Sequence, residues 1–294
     1  MPLLFLLLAL STGALRADGN AAEMLAKACR TGDLKTAEAV LSTGVDPDQV
    51  DRYGKTPLYY AAWFGRTELV SLLLAHHANP NSASLLLQAA AQSGNLRITD
   101  MLLLAGAQLN AKARTGRTAL HIAVTADHLD LIRFLIDKGA VVNVRDAEGT
   151  SPLDDAVWRG YLDAAAILLA HGACLNEPET KTGATPINEA AYLGKTSLIQ
   201  YLLQFNPDLG IPDRRGFTPL ENAIRMGKAD AALALLAAEV KERKTPQFFE
   251  RCWERQSRRM RQQLSLRFFA MERPQTEHCR PALRLSMRPL PHSR

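Results

Sequence analysis

Apolar residues come along this chain in short blocks of helical spacing, and the blocks come in pairs. Leu69, Val70, Leu72, Leu73 and Leu74 form one block, and Leu131, Ile132, Leu135 and Ile136 another; residues three and four apart fall on one face of a helix. Each is preceded by a shorter block that a glycine closes. These glycines are Gly32, Gly65, Gly94, Gly160, Gly194 and Gly227, with Asp127 in the missing place, at intervals of 33, 29, 33, 33, 34 and 33 residues. A second series, Gly54, Gly116, Gly149, Gly183 and Gly216, lies just before a Thr/Ser-Pro or Thr-Ala pair, and a third, Gly44, Gly106, Gly139 and Gly172, closes the longer blocks. Three series in one phase predict a unit of about 33 residues, repeated and built from two short helices.

The residues between the glycines give each unit a physical sense. Thr56, Thr118, Ser151, Thr185 and Thr218 carry hydroxyls suited to capping a helix N-terminus, and Pro57, Pro152, Pro186 and Pro219 follow where a missing N–H costs nothing. The glycine about eight residues later is a helix stop. Neither helix of a pair can bury its apolar face alone, so the units must stack.

The units resemble ankyrin repeats. The family's Thr-Pro-Leu-His stretch is matched by Thr118-Ala119-Leu120-His121, Thr56-Pro57-Leu58-Tyr59, Ser151-Pro152-Leu153-Asp154, Thr185-Pro186-Ile187-Asn188 and Thr218-Pro219-Leu220-Glu221. Its inter-repeat turn is echoed by Gly106-Ala107-Gln108-Leu109-Asn110, Gly139-Ala140-Val141-Val142-Asn143 and Gly172-Ala173-Cys174-Leu175-Asn176. The likeness runs from about residue 21 to about 240 in seven units, of which the first and last are atypical, as capping repeats are. It implies an all-α solenoid of stacked helix-turn-helix units with short hairpin fingers, occupying residues 18–240. Three departures matter. The third unit is about four residues short between Asn81 and Leu85, so its finger is expected to be truncated and the row of fingers to have a gap. The sixth carries one extra residue between Asn176 and Gly183, and the fourth ends its first helix on Asp127, a residue that tolerates the left-handed region.

The resemblance also implies where a partner binds: the concave face made by fingers and first helices. Transferred by position, that face holds Arg52, Tyr53, Lys55, Trp63 and Phe64 in the second unit, and Arg114, Thr115 and Arg117 in the fourth. The fifth contributes Glu148, Trp158 and Arg159, the sixth Tyr192 and Leu193, and the last Arg214, Arg215, Phe217, Arg225 and Met226. Aromatic and Arg residues are enriched at binding hot spots. The competing reading is packing against the neighbouring unit and simple solvation.

Composition adds boundaries. With 47% apolar, 22% charged and 6% aromatic residues in 294, the chain is neither polytopic in a membrane, nor collagen-like, nor disordered throughout. The net charge of +5 conceals a division, because residues 1–240 hold 21 Lys/Arg against 25 Asp/Glu and residues 241–294 hold 14 against 5. The basicity belongs to the tail. Residues 246–271 read as a basic helix with Phe249, Trp253, Met260, Leu264 and Phe268 near one face, capping the last repeat; contact with nucleic acid or an anionic membrane is the alternative.

At the other end, residues 3–10 are an unbroken apolar run followed by small and polar residues, the length of a signal-peptide core and too short to span a bilayer. Residues 1–17 are therefore expected to be a signal peptide, and the protein to be secreted or periplasmic; a hydrophobic helix on the first unit and a cytoplasmic location form the alternative. Cys29 reads as a buried small residue, and Cys252 and Cys279 are far enough apart to leave their pairing open.

Candidate chemistry is thin. Gly54-Lys55-Thr56 and Gly194-Lys195-Thr196 mimic the end of a phosphate loop, but Gln49 and Glu189 stand where its first glycine belongs. His121 and His128 have no carboxylate or thiol in ligand spacing. Asp154 and Asp155 open a helix, where negative charge complements the macrodipole. The expectation is a non-enzymatic, monomeric binding protein with no metal or cofactor, which holds a protein partner on its concave face and inhibits or scaffolds it. The alternative is an intracellular regulator acting through its basic tail.

Overall fold

Each first helix starts where a side chain can catch its free N–H groups. Thr56 Oγ1 accepts the Tyr59 N–H at 3.2 Å, and Thr118 with His121, Ser151 with Asp154, and Thr218 with Glu221 form reciprocal capping boxes. The computed structural model describes residues 18–82 and 85–241. Among them are fourteen α-helices in seven pairs: α1 (Asp18–Thr31) and α2 (Leu34–Leu41), α3 (Pro57–Trp63) and α4 (Thr67–Ala75), α5 (Leu86–Ser93) and α6 (Leu96–Leu104), α7 (Ala119–Thr125) and α8 (Leu129–Asp137), α9 (Pro152–Arg159) and α10 (Leu162–Ala170), α11 (Pro186–Leu193) and α12 (Thr196–Leu202), α13 (Pro219–Arg225) and α14 (Ala229–Lys241). The first helices pack on one another in order, and so do the second, giving two helical layers.

The layers meet through small and branched residues at fixed register. Ala61, Ala90, Ala123, Ala156, Ala190 and Ala223 lie at the same place in successive first helices and are fully buried. With no side chain beyond Cβ, they let those helices approach closely. Leucines and isoleucines such as Leu73, Ile98, Leu102, Leu131, Ile132 and Leu168 fill the space beneath; burying a side chain of that size contributes about 1.5–3 kcal/mol. Cys29 belongs to this interior, and burial pushes its thiol up to about 12.

A ladder of asparagines stitches the turns that follow the second helices. Asn81 Nδ2 donates to the Gly106 carbonyl and Oδ1 accepts the Gln108 N–H, at 2.9 and 3.1 Å. Asn143 repeats this with the Gly172 carbonyl and the Cys174 N–H, at 2.9 and 2.8 Å. Each side chain satisfies a free carbonyl at the end of the next unit's helix.

The helix stops take left-handed backbone as their spacing requires, Asp127 included, at φ +57°. Two members of the third series escape a search for glycine: His77 at φ +62° and Asn206 at φ +49° close α4 and α12 where Gly44, Gly106, Gly139 and Gly172 close their counterparts. The first seventeen residues, the tail from residue 242 with its expected helix, and Cys252 and Cys279 lie outside the described residues, as do Ala83 and Ser84 at the short third connection. No helix among the described residues is long and apolar enough to cross a membrane.

Candidate partner-binding face

One carboxylate organises most fingers. Asp51 Oδ1 accepts the N–H groups of Tyr53 and Lys55 at 2.8 and 3.0 Å, and Asp146 and Asp213 do the same for Glu148 and Thr150, and for Arg215 and Phe217. The other oxygen ties the finger to its own first helix, Asp51 to Tyr60 Oη at 2.7 Å and Asp213 to Asn222 Nδ2 at 3.0 Å. Burial together with that bond to Asp51 pushes the Tyr60 phenol up to about 12. With the turn held from inside, the residues at its tip point their side chains to solvent.

In the fourth unit Ala113 takes the carboxylate's place, and the finger leans on the next unit instead. The Thr115 carbonyl accepts the Ala147 N–H at 2.8 Å, and the Arg117 guanidinium bonds Asp155 and lies 3.9 Å from Asp146. In the sixth, Glu179 stands in for aspartate across the longer loop, accepting Thr182 Oγ1 at 2.6 Å and reaching back to Thr150 Oγ1 at 3.0 Å. Arg214 N–H then donates to the Thr182 carbonyl at 2.9 Å. The fingers of the fourth to seventh units are thus chained together. The second unit's finger makes no such backbone bond to them among the described residues, and only three residues separate Asn81 from Leu85 in the unit between.

A second set of side chains, three residues after each capping position, holds the base of the next finger. His121 accepts the Thr118 N–H on Nδ1 at 3.2 Å, so Nε2 carries the proton and donates to the Thr150 carbonyl at 3.1 Å. Burial pulls its imidazole down to about 4. Asn188 Nδ2 donates to the Ile211 and Phe217 carbonyls, both at 3.2 Å, and Gln88 Nε2 to those of Ala111 and Arg117 at 2.7 and 3.3 Å.

Most residues expected to contact a partner present their side chains on this finger-side face. Arg52 lies 4.9 Å over the exposed Tyr53 ring. Lys55 Nζ lies 4.2 Å over Tyr59, which stacks on Trp63 at 5.9 Å. Trp63, Phe64 and Trp158 are 41%, 46% and 61% exposed. Arg159 lies 5.9 Å from the Trp158 ring, and Arg225 3.6 Å over Phe217. Arg114, Arg214 and Arg215 are exposed, whereas Tyr192 is half-buried. Arg117 is different, because its charge is spent inside the stack.

Two grooves open on the face. The larger, about 780 Å³, lies over α9 and brings together Arg114, Asp155, Trp158, Arg159, Glu179, Lys181 and Glu189. Its carboxylates are strained by their surroundings. Burial pushes Asp155 up to about 7 against the pull of Arg117, with Asp146 and Asp154 adding to the rise. Burial raises Glu189 also, and the nearby Glu179, Asp154 and Asp213 reinforce it. The macrodipole reading of the acidic pair therefore covers only half of it: Asp154 caps its helix through Ser151, while Asp155 is the anchor for Arg117. A pair 38 positions apart leaves no local signal in the sequence. The smaller groove, about 310 Å³, lies over α5 between Tyr59 and Trp63 on one side and Arg114, Thr115 and Ile122 on the other.

The phosphate-loop mimics have structural tasks, Lys55 on Tyr59, Thr56 as a cap and Gly194 as a helix stop. Among the described residues no group of three or more His, Cys, Asp or Glu is placed to hold a metal ion.

A family model described as ankyrin repeats, three copies, matches residues 2–84, 86–179 and 172–245. The chain belongs to the ankyrin-repeat family. It is similar to proteins described as ankyrin repeat, SAM and basic leucine zipper domain-containing protein 1: 34% identical over 114 residues in Dasypus novemcinctus and 32% in Mus musculus, covering 36% of this chain and 24% of theirs. The chain thus matches about a quarter of the length of these relatives. Ankyrin repeats are protein–protein interaction modules, in general without catalytic activity, and the finger-side face holds Tyr53, Trp63, Phe64 and Trp158 of the exposed aromatic side chains, while Phe205 lies after a second helix.

Proposed function

We propose that this ankyrin-repeat protein is a non-enzymatic binding protein that holds a protein partner on its finger-side face and restrains or scaffolds it there. The observation that carries the reading is the exposure of Tyr53, Trp63, Phe64, Trp158 and Met226 on one side of the stack, interleaved with arginines. Large rings left in water cost solvation free energy that a partner recovers, and Arg and Trp are the commonest hot-spot residues. The ends of the first helices and a finger turn held by Asp51 present these side chains on ordered backbone, which lowers the entropy cost of binding. The apolar run at residues 3–10 supports export as the setting, with an exported protein as the partner.

The test compares three forms of the full chain as bait in extract from its native cell. Trp63→Ala with Phe64→Ala is expected to lose the captured protein with its helical circular dichroism intact, while Leu104→Ser with Val141→Ser, changing exposed apolar residues outside the fingers and first helices, retains it. Loss with the second pair and retention with the first would place the site elsewhere. N-terminal mass of the native protein checks export separately.

A further inference from the structure

The groove over α5 has a chemistry of its own. Tyr59, Trp63, Leu85, Ala89 and Ile122 make it apolar, no carboxylate lines it, and Arg114 stands at its rim in no ion pair among the described residues. Lys55, above Tyr59, adds a second cation without a carboxylate partner. The adjoining groove over α9 is the reverse, with several carboxylates crowding one another. Only three residues separate Asn81 from Leu85 ahead of α5, too few for a finger of the length found in the second unit.

Gln88 adds a polar mark to this groove. It is 6% exposed, its Nε2 is committed to the Ala111 and Arg117 carbonyls, and its Oε1 has no hydrogen-bond partner. Its side chain separates this groove from a smaller one, about 240 Å³, that Asn81, Ala111 and Lys112 help to line. In a protein interior such an acceptor is nearly always matched; this one is sealed from solvent, so Gln88 contributes to the floor of the slot rather than a contact for a ligand.

The geometry points to this groove as the seat of one apolar side chain, aromatic or long aliphatic, from a partner segment whose flanking residues are Asp or Glu. This rests on the finger-side face being the binding surface and specifies what it selects. The ring or chain fills the slot between Trp63 and Ile122, and the flanking carboxylates meet Arg114 and Lys55. Charge complementarity decides the sign of the partner here: a basic segment would meet Arg114 and Lys55, neither of them in an ion pair among the described residues.

The full chain, immobilised, is panned with a display library of random linear peptides, and enriched sequences are made synthetically for affinity measurement. Enriched peptides are expected to pair Trp, Phe or Leu with neighbouring Asp or Glu, and to bind more weakly as salt rises. Gln92→Trp blocks the slot with a side chain that the same register already accepts in Trp63 and Trp158, and should weaken binding about tenfold or more, as should Arg114→Glu. Glu189→Gln should leave binding unchanged, and all three variants should keep the wild-type helical circular dichroism. Peptides without the acidic-apolar signature, peptides that bind Gln92→Trp as well as wild type, or no enrichment over the bare support would each overturn the assignment. Binding lost in Trp158→Ala and Glu189→Gln but kept in Gln92→Trp would also overturn it while leaving the finger-side reading intact; binding indifferent to every substitution on the face would remove both.

Discussion

The guanidinium of Arg117, at the base of the fourth unit's finger, bonds the Asp155 carboxylate on the first helix of the fifth. It joins two units whose fingers also share the Thr115 to Ala147 hydrogen bond. Arg117→Ala leaves Asp155 buried beside Asp146 without its cation and should cost about 2 kcal/mol at pH 8, less than a fully buried pair because Arg117 is partly exposed. Asp155 already prefers its neutral form more than it would unfolded, so protonation favours the folded state. The deficit of Arg117→Ala should therefore shrink as pH falls below 7, which urea unfolding at pH 8 and pH 5 will measure.

His121 and Asp155 oppose each other across the same pH window. His121 is held at about 4 rather than 6.5, so the unfolded chain takes its proton first and stability is lost as pH falls from about 6.5 to 4. Asp155 is raised from 3.8 to about 7, so the folded chain takes that proton first and stability is gained over nearly the same range. The effects are on the order of 3 kcal/mol for His121 and 4 kcal/mol for Asp155. The contributions of these two groups should largely offset each other between pH 7 and 4. His121→Asn, which keeps a donor as Asn188 does in the sixth unit, should be the less stable protein at pH 7.5 and close the gap or reverse it at pH 4.5.

Gly116 is required by a close approach. Its φ is +76°, and a Cβ there would lie 2.6 Å from the Ala147 backbone nitrogen, in the place where the two fingers are bonded. Gly116→Ala should cost about 1–2 kcal/mol from the left-handed backbone alone, and the contact with backbone should also loosen the fifth finger, seen as faster amide exchange at Ala147.

Left-handed residues that are not glycine offer the opposite effect. His77→Gly and Asp127→Gly relieve strained backbone at φ +62° and +57° and should each raise stability by about 0.5–1 kcal/mol in denaturant unfolding.

Much of the fold is written in local signals. Thr-Pro pairs mark helix starts because hydroxyl capping and a fixed φ act within one turn, and the glycines mark stops because few other residues take positive φ at low cost. Where another residue accepts that backbone, as at His77 and Asn206, the signal disappears although the geometry persists. The face is legible to the same extent, since Trp63 and Trp158 follow their capping residues by a fixed count. Arg117 with Asp155, Glu189 among its carboxylates, and the unpaired, buried Oε1 of Gln88 are not legible, because each depends on side chains that only stacking brings together. Gln88 is hidden further by the loss of the Thr-Pro stretch in its own unit.

Amide hydrogen exchange of the full chain, free and bound to the partner it captures, tests the finger-side site most directly. Slower exchange on binding is expected in the fingers at residues 51–55, 113–117 and 146–150 and in α3, α5 and α9, with α6, α8 and α10 unchanged. Protection confined to those second helices, with the fingers exchanging as in the free protein, would contradict it.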